Sequence, residues 1–520
     1  MISLHRDRRI VPRWRPIKSR RSLLEEKPLK SGVLVPLELK DQVELDESLA
    51  RWKEEKTLGA ALELLNSETY LQGRSEVAEA SRLVLLNQDA SQIARATAGA
   101  PAADEPPLGR THSRTIPDIA LARARLRRDP WNAFAALNLA HAYCAIGRLD
   151  RADRLILHAL TAAGTNRTVL RGAARYYLHV GEKERAHRLL ANASALLHDP
   201  WLLSGELALA EVIGRTSVNV KAARAMAESD SIQAVHRSEL NAAIGDLQMH
   251  RGDHKRARKS YLVALGSPTE NVVAQAQFLG SKGEFTSLPV VEAMTRLNEA
   301  PEARAMAALM NSDWIGAQEQ ARKWHTYEPF STRPVNLGFT AANIGSQDME
   351  EASFFARHGV LANPGNPMQH NNYAFALAQL GRVTEAEEAF ETCATAITKN
   401  VGNASDLHVF KATAGLIAWR KQDQDGGRRG YREAADHFEK NNEKQRLAIC
   451  LARWAGEEIR AGNKAEAPKL LAKARAVTAS KERTLIHVLL DHVDNLIKKP
   501  AAALISPAPT TKSLSVAPGP

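Results

Sequence analysis

A repeat of 34 residues is the feature that most constrains how this chain can fold. Four residues return in the same order one period later: Tyr143, Gly147, Ala152 and Ala159 are followed by Tyr177, Gly181, Ala186 and Ala193. A fixed period of this length is typical of stacked architectures, in which each unit buries its apolar face against its neighbours. The period therefore predicts a repeat protein, a fold that offers a surface for binding rather than a chemistry.

Each repeat is predicted to be two helices joined by a tight turn. Small and apolar residues recur at the spacing of one helical stripe up to Tyr143, which predicts a first helix from Ala133 to about Gly147. Gly147 suits the end of that helix, and Asp150 is placed to cap the next one. Small residues are expected where the two helices approach closely, at Ala140, Ala152 and Ala159.

This pattern resembles the tetratricopeptide repeat (TPR). The family favours Leu-Gly or Leu-Ala on the first helix, then Tyr, a turn Gly, two Ala on the second helix and a Pro at the end of the unit. These positions are filled by Leu139-Ala140, Tyr143, Gly147, Ala152 and Ala159. The resemblance extends over roughly residues 116 to 480. It implies an all-α fold, a right-handed α-solenoid of TPR-like helical hairpins. Pentatricopeptide RNA-binding repeats have nearly the same length, but the Gly/Ala positions and terminal Pro fit them less well.

Shifts in composition divide the chain into five predicted segments. They are a basic, disordered arm over 1–40, N-terminal helices resembling a degenerate repeat over 41–98, a linker over 99–115, the solenoid over 116–498 and a Pro-rich disordered tail over 499–520. Within the solenoid, residues 201–235 and 271–297 are helical by pattern but out of phase with the repeat. The superhelix is expected to bend or to gain a contact surface at these two places.

The sequence contains no constellation that predicts catalysis. The run Gly426-Gly427-Arg-Arg-Gly430 lacks the Lys-Ser/Thr ending and the preceding strand of a phosphate loop, so it is predicted to be an interhelical turn. His250 and His254 flank a turn, while His487 and His492 are five residues apart, and neither pair suits a metal site on a helix. We therefore expect no enzymatic activity, no cofactor and no metal.

The predicted location is the cytoplasm. Three cysteines, Cys144, Cys393 and Cys450, lie far apart on predicted helices, which suits buried thiols in a reducing compartment. The sequence has no run of 18 apolar residues and no apolar signal core near residue 1, so neither a transmembrane segment nor a secretory signal is expected.

The TPR resemblance implies that the first helix of each hairpin lines a concave groove. Carrying the family's positions onto this chain predicts a partner-binding groove made by His141, Arg171, Arg175, His179, Asp246, Phe339, Asn343, Asn371 and Phe375. Arg171, Arg175 and His179 are spaced by four and form one stripe, which would accept carboxylates or phosphates of an acidic partner. Asn371 would hydrogen-bond the backbone of an extended peptide. Some TPR domains bind the terminal carboxylate of a chaperone tail with a set of Lys and Asn residues on successive first helices. No matching Asn pair accompanies Arg171 and Arg175, so binding of a chaperone tail is not expected.

The N-terminal arm carries most of the net charge. It contributes +7 of the chain's +11 through Arg6, Arg8, Arg9, Arg13, Arg15, Lys18, Arg20 and Arg21 against Asp7. Pro12 and Pro16 prevent a single amphipathic helix. The arm is interpreted either as a solvated, disordered segment or as a contact for an acidic partner, a nucleic acid or an anionic membrane surface. A transit peptide is a third interpretation, which the two prolines disfavour.

These observations predict a non-enzymatic scaffold or adaptor for protein–protein interaction, which binds a peptide or a partner domain in the concave groove. The alternative is a nucleic-acid-associated factor, or a factor recruited to an anionic surface, that uses the arginine-rich arm. The partner is expected to be a protein or a peptide. The sequence leaves the oligomeric state open.

Overall fold

The structure is a computed structural model that describes residues 8–16, 130–285, 287–399, 404–478 and 485–498, with isolated positions between 49 and 127. The regular elements in this described part of the chain are helices, and no strand occurs among them. Successive helices are joined by short turns, as in antiparallel helical hairpins. The prediction of an all-α solenoid of TPR-like hairpins is confirmed.

The chain divides into two compact units. The N-terminal unit comprises the described residues of Asp7–Ala303 together with Lys323–Phe330, and the C-terminal unit comprises those of Arg304–Arg322 and Ser331–Pro520. The segments predicted as N-terminal helices, linker and tail lie largely outside the described residues, so those boundaries stay predictions.

The N-terminal unit is a succession of helical hairpins. Its helices are α1 (Ala133–Ala145), α2 (Leu149–Ala163), α3 (Arg167–His179), α4 (Lys183–Ala191), α5 (Pro200–Val212), α6 (Val220–Glu228), α7 (Ala234–His250), α8 (His254–Gly266), α9 (Glu270–Ser281) and α10 (Val290–Thr295), with a short 3-10 turn at Leu196–His198. Helices α11 (Pro301–Met310) and α12 (Trp314–Tyr327) contribute residues to both units.

The C-terminal unit continues the same pattern. Its helices are α13 (Thr332–Thr340), α14 (Met349–Ala362), α15 (Pro367–Gln379), α16 (Val383–Lys399), α17 (Ala404–Arg420), α18 (Gln424–Lys440), α19 (Lys444–Arg460), α20 (Ala467–Val477) and α21 (Leu485–Ile497). A π-helical turn at Ala341–Ser346 follows α13.

The first helices of the early repeats begin at polar capping residues. The side chains of Asn132, Asn166 and Asp199 accept hydrogen bonds from backbone N–H groups in the first turns of α1, α3 and α5. The helices α1 and α3 end before Gly147 and Gly181, whose φ angles of 68° and 85° are in the left-handed region that favours glycine. The predicted first helix and its turn are therefore confirmed.

Two details of the repeat differ from the prediction. Asp150 does not cap α2. The cap position is Arg148, and Asp150 lies in the first turn of the helix. Its charge there still complements the positive end of the helix. Ala193 is only partly buried because α4 ends at Ala191, whereas its counterpart Ala159 is fully buried in the longer α2.

The small residues of the repeat form the contacts between helices. Ala140, Ala152 and Ala186 are completely buried, as predicted. A methyl side chain fills little space, so the backbones of paired helices approach closely while larger side chains fill the gaps. The three cysteines are free and buried, which confirms their predicted packing role.

The glycine run at 426–430 is not an interhelical turn. Gly426, Gly427 and Gly430 all lie inside α18, and the turn precedes them. A Cβ added to Gly430 would lie 2.8 Å from the Cα of Gly415 on α17 and 2.8 Å from the carbonyl oxygen of Lys411. The glycines are therefore required because two helix backbones nearly touch here.

The described residues contain neither a membrane span nor a metal-binding cluster. None of their helices is both long enough and apolar enough to cross a membrane. No group of three or more His, Cys, Asp or Glu side chains in the same part of the chain is placed to hold a metal ion.

Ala186→Phe is expected to destabilise the protein by about 1 to 3 kcal/mol or more, because a fully buried helix contact must open to admit the ring. Urea unfolding followed by circular dichroism measures the change. Ala225→Phe, at an exposed position of α6, is the matched control and should change stability little. Equal stability of the two variants would contradict the placement of Ala186.

Gly430→Ala and Gly456→Ala are expected to have opposite effects. The first should cost about 1 to 3 kcal/mol because its Cβ would collide with the backbone of α17. A Cβ at Gly456 would meet only the Nη1 of Arg460, at 3.9 Å, so the second should stabilise α19 by up to about 1 kcal/mol. Thermal unfolding measures both changes. If the two variants shift the melting temperature in the same direction, the close contact of α17 with α18 would be refuted.

Candidate functional site

Residues 8–16, called segment 8–16 below, lie along the N-terminal unit without regular secondary structure. They contact residues on α1, α3, α5, α7 and α9, the first helices of successive hairpins. They belong to the arm predicted to be either disordered or a contact for an acidic partner, and in the structure Arg8, Ile10, Pro12 and Trp14 are buried while the other five are partly buried. The basic residues Arg6, Lys18, Arg20 and Arg21 lie outside the described residues.

Four carboxylates face the arginines of this segment. We call the surface that holds segment 8–16 the acidic groove, after Glu211, Glu270, Glu302 and Glu328. Each arginine of the segment lies within ion-pair distance of at least one of them. Segment and groove therefore neutralise each other.

Arg8 is the most completely buried arginine of segment 8–16, with 3% of its surface exposed. Its Nε lies 2.9 Å from Oε1 of Glu302, which is itself fully buried. Its Nη1 donates to Gln275 at 2.7 Å and its Nη2 to Asn271 at 2.8 Å. Burying a guanidinium is costly unless its N–H groups have hydrogen-bond acceptors, and Glu302, Gln275 and Asn271 provide them here. Burial, followed by the charge of nearby Arg13, nevertheless lowers the pKa of Arg8 to about 9.

Arg13 and Arg15 share the remaining carboxylates. Arg13 pairs with Glu302, lies 3.4 Å from Glu270 and 4.0 Å from Glu328. Arg15 pairs with Glu270, and its guanidinium lies 4.4 Å from the centre of the Tyr327 ring. A cation over an aromatic face gains further electrostatic attraction.

Glu328 remains charged although it is buried. Burial alone would raise the pKa of its carboxyl, but Arg13 and Arg175 outweigh that effect and lower it below the ordinary value. The carboxylate therefore keeps its negative charge beside the segment.

Arg9 lies at the more exposed side of the groove. Its Nε is 3.7 Å from Glu211, and its Nη2 is 2.6 Å from Nε2 of His250. The His250 ring in turn lies 2.8 Å from the carbonyl oxygen of Asp246.

Two carboxamides on α9 bind the backbone of the segment. The Nδ2 of Asn271 donates to the carbonyl of Val11 at 3.0 Å, and the Nε2 of Gln275 donates to that of Arg8 at 3.0 Å. The two residues are four apart and therefore lie on one face of the helix. Bonds to carbonyl groups recognise an extended chain without regard to its side chains. The sequence predicted this role for Asn371 instead.

Trp14 fills an aromatic pocket and is 1% exposed. Its ring centroid lies 5.0 Å from His141, 5.3 Å from Phe330 and 6.2 Å from Tyr176. The contacts to His141 and Tyr176 are edge-on, a favoured geometry for aromatic pairs. The indole is therefore the main apolar anchor of the segment.

Two glycines allow the segment to approach the helices closely. A Cβ added to Gly172 on α3 would lie 3.2 Å from Cδ1 of Trp14, and one added to Gly205 on α5 would lie 2.9 Å from Cγ of Pro12. Glycine in a helix interior costs about 0.5 to 1 kcal/mol relative to alanine, so its presence at both positions favours a packing requirement.

Of the predicted groove residues of the N-terminal unit, His141 contacts Trp14 directly, and Arg175 and His179 contact Phe330, which lies beside Trp14. His141 places its Nε2 3.1 Å from the carbonyl oxygen of Tyr327. Arg175 lies over the Phe330 ring, 4.9 Å from its centre, and His179 lies 5.1 Å from the same ring. Burial, followed by the charge of Arg175, lowers the pKa of His179 to about 4.

Asp246 lies at the Arg8 end of the groove. It is buried, accepts a hydrogen bond from the Tyr261 hydroxyl, and accepts from Gln275 at 3.1 and 3.2 Å. Burial is the largest influence on the Asp246 carboxyl and raises its pKa. Its direct contacts are therefore with the residues that hold the segment.

Arg171 does not have the free guanidinium that the sequence analysis assumed. Its Nη2 donates to Glu239 on α7 at 2.9 Å, and its Nη1 donates to the carbonyl oxygen of Trp201 on α5 at 2.8 Å. Both partners belong to the next two first helices of the stack. The side chain therefore joins neighbouring repeats.

Two of the predicted groove residues of the C-terminal unit, Asn343 and Phe375, contact Arg453. The Nη2 of Arg453 donates to Oδ1 of Asn343 at 2.6 Å, and its guanidinium lies 5.4 Å from the centre of the Phe375 ring. Phe339 is buried, and Asn371 is buried with no hydrogen-bond partner for its Oδ1 among the described residues. A partner-binding role for this set stays a prediction.

Sequence reasoning missed most residues that hold the segment. Asn271 and Gln275 fall in the stretch 271–297 that lost the repeat phase, and a gain of contact surface was expected there. Glu302, on α11, and Glu328, directly after α12, carried no signal, because acidic residues usually face water. The arginine partners of Glu302, Arg8 and Arg13, lie 294 and 289 residues away in the sequence.

Comparison with known proteins agrees with the repeat assignment. Residues 135–170 match the family model described as "Tetratricopeptide repeat", so the resemblance is confirmed. A search of curated proteins finds no match.

Several solved structures are similar to this chain at low sequence identity. The TPR2AB domain of yeast Sti1 in its pHSP90 complex is 16% identical, covering 55% of this chain and 98% of that one, with a TM-score of 0.21. Yeast Tom70 is 12% identical, with coverages of 88% and 96% and a TM-score of 0.29. The human IFIT1 dimer with PPP-AAAA is 13% identical, with coverages of 86% and 96% and a TM-score of 0.30.

His179 should make the protein less stable in mild acid. Its pKa is about 4 in the folded chain against an ordinary 6.5, so the unfolded chain binds the proton first as the pH falls. Between pH 7 and pH 5 this group should remove about 2 kcal/mol of the free energy of unfolding. Urea titrations of wild type and His179→Gln at both pH values measure the loss.

The variant should lose less stability than wild type over this interval. His254→Gln, which removes a largely exposed histidine, is the control and should behave as wild type does. If His179→Gln loses as much stability as wild type, the buried neutral imidazole is not responsible for acid sensitivity.

Proposed function

We propose that this chain is a non-enzymatic protein-interaction scaffold that binds an extended segment of a partner protein in the acidic groove. The observation that carries the proposal is that the groove already holds segment 8–16 in the manner of a bound peptide. An adaptor role in the cytoplasm belongs to the same proposal.

Three kinds of contact support this function. The carboxamides of Asn271 and Gln275 bind backbone carbonyls, which favours an extended chain of any sequence. The carboxylates bind guanidinium groups through charge-assisted hydrogen bonds, which adds side-chain selectivity. The pocket around Trp14 buries a large aromatic ring, the kind of anchor that dominates binding energy at interfaces.

The repeat architecture supports the same conclusion. The TPR resemblance assigns the first helix of each hairpin to the inner wall, and each of the first helices α1, α3, α5, α7 and α9 contributes residues that contact the segment. Stacked repeats present such residues along one continuous surface, so an extended peptide can contact several repeats at once.

The nucleic-acid or anionic-surface alternative receives less support from the described residues. Arg8, Arg13 and Arg15 face carboxylates of the same chain, and their charge is neutralised there. A phosphate backbone would have to compete with these buried pairs. Under that alternative, affinity for nucleic acid would fall steeply with added salt.

Binding of a peptide in trans tests the proposed function. The protein is the full chain with Arg8→Glu, Arg13→Glu and Trp14→Ser, here called the released variant, in which the segment repels the groove. The probe is a fluorescein-labelled peptide with the sequence of residues 7–17, DRRIVPRWRPI. We expect saturable binding by fluorescence anisotropy with a Kd on the order of micromolar.

The matched control removes the backbone contacts. Adding Asn271→Ala and Gln275→Ala to the released variant should weaken binding at least about tenfold, since two backbone hydrogen bonds and two acceptors of the Arg8 guanidinium are lost. A scrambled peptide should bind less tightly than the native order. The proposed function fails for this groove if the released variant keeps its helical circular dichroism but shows no saturable binding.

A further inference from the structure

We propose that segment 8–16 is an internal ligand that closes the acidic groove, and that the partner replacing it is an extended segment with arginine facing Glu302 and an aromatic residue in the Trp14 pocket. This inference rests on the proposed function and adds to it the chemistry of the partner and the regulation of the site.

The charge of the groove determines which partner can replace the segment. Glu270 and Glu302 lose their ion pairs with Arg13 and Arg8 when the segment leaves, whereas Glu211 loses Arg9 but keeps His250, whose Nδ1 lies 3.2 Å from its Oε1. Glu328 keeps only part of its compensation, through the charge of Arg175. Covering a buried carboxylate with a neutral or acidic chain, after it has lost an arginine partner, is strongly disfavoured. The occupant must therefore bring positive charge, in contrast to the acidic partner that the arginine stripe suggested.

The shape of the groove adds the second requirement. Phe330, His141 and Tyr176 enclose the indole of Trp14 on several sides. Gly172 leaves room for that ring against α3. A flat aromatic side chain fits this space, whereas a small or charged side chain would leave apolar surface uncovered. Arginine and an aromatic residue on one extended chain satisfy both requirements.

The segment fits the groove imperfectly, which favours exchange. The Nε1 of Trp14 and the Nε of Arg13 are buried with no hydrogen-bond partner among the described residues. An unsatisfied buried donor weakens the bound state. The pKa of Arg15 is lowered to about 10 by burial and then by Arg13, which shows that neighbouring cations oppose each other here. A partner that satisfies these donors, or spaces its cations more widely, would bind better.

A ligand on the same chain has a kinetic and thermodynamic advantage. Tethered ligands typically act at an effective concentration on the order of millimolar. The apparent affinity of a partner is reduced by the fraction of molecules whose groove is open. If the groove is open in one molecule in ten or fewer, the wild-type chain binds a partner at least about tenfold more weakly than an open groove would.

The first experiment compares full chains whose grooves differ only in occupancy. The labelled peptide of residues 7–17 is titrated into wild type and into the released variant. We expect the released variant to bind at least about tenfold more tightly. If both bind the peptide equally well, segment 8–16 does not close the groove, although the proposed function would stand. If the folded released variant does not bind, the proposed function and this inference both fail.

A reversible lock provides a second measurement on a chain that keeps the segment's arginines and tryptophan. Pro12→Cys and Gly205→Cys place two thiols together, since a Cβ at 205 lies 2.9 Å from Cγ of Pro12. The three native cysteines are buried and do not compete for the disulfide. We expect no peptide binding by the oxidised form and binding after reduction. Equal binding by the two forms would overturn the internal-ligand proposal.

Peptide variants test the chemistry of the partner. Arg8→Glu with Arg13→Glu in the peptide should weaken binding to the released variant at least about tenfold, and Trp14→Ala should do the same. Arg9→Lys, which keeps the positive charge beside Glu211, is the matched control and should weaken binding less than the charge reversal does. If the charge-reversed peptide binds as well as the native one, the partner is not a cationic segment.

Discussion

The ion pair between Arg8 and Glu302 is the interaction on which the docking of segment 8–16 on the N-terminal unit depends. It joins side chains 294 residues apart in sequence, and both are removed from water. Desolvating two charges is costly, and their attraction offsets that cost only with good geometry and further hydrogen bonds. Asn271 and Gln275 supply those bonds, so segment 8–16, α9 and the start of α11 must all be in place together. Loss of Glu302 would remove the carboxylate that pairs with the buried Arg8, at a cost of about 3 to 5 kcal/mol, whereas loss of Arg8 would leave Glu302 its pair with Arg13.

The repeat fold could be predicted from sequence because its determinants are local. The spacing of small residues, the turn Gly147 and the buried Ala152 and Ala186 follow from contacts within one or two helices. The errors occurred where local preference is ambiguous. Glycine suits a turn as readily as a close contact between two helices. The reason for Gly430 is its contact with Gly415 on α17, which the local sequence does not show. Asp150 suits a cap or a first turn about equally well.

The site could be predicted only in part, for a related physical reason. The repeat register indicated that His141, Arg175 and His179 line the inner wall, and all three lie around Phe330. A register says which face a side chain lies on but not what covers it. A cluster of arginines has the same sequence signature whether it is solvated or docked. Pro12, which excludes a helix, suits the extended chain that the groove holds.

Segment 8–16 also explains how the acidic groove, which contains the aromatic rings of Phe330 and Tyr176, can select one kind of partner. An empty groove would expose Phe330 and Tyr176 beside several carboxylates, a surface that many basic and apolar chains could contact. Segment 8–16 covers the apolar floor and neutralises the carboxylates at the same time. A competitor that satisfies only one of these requirements gains too little to displace it. Specificity then comes from the difference between a partner and the bound segment rather than from the affinity of the groove alone.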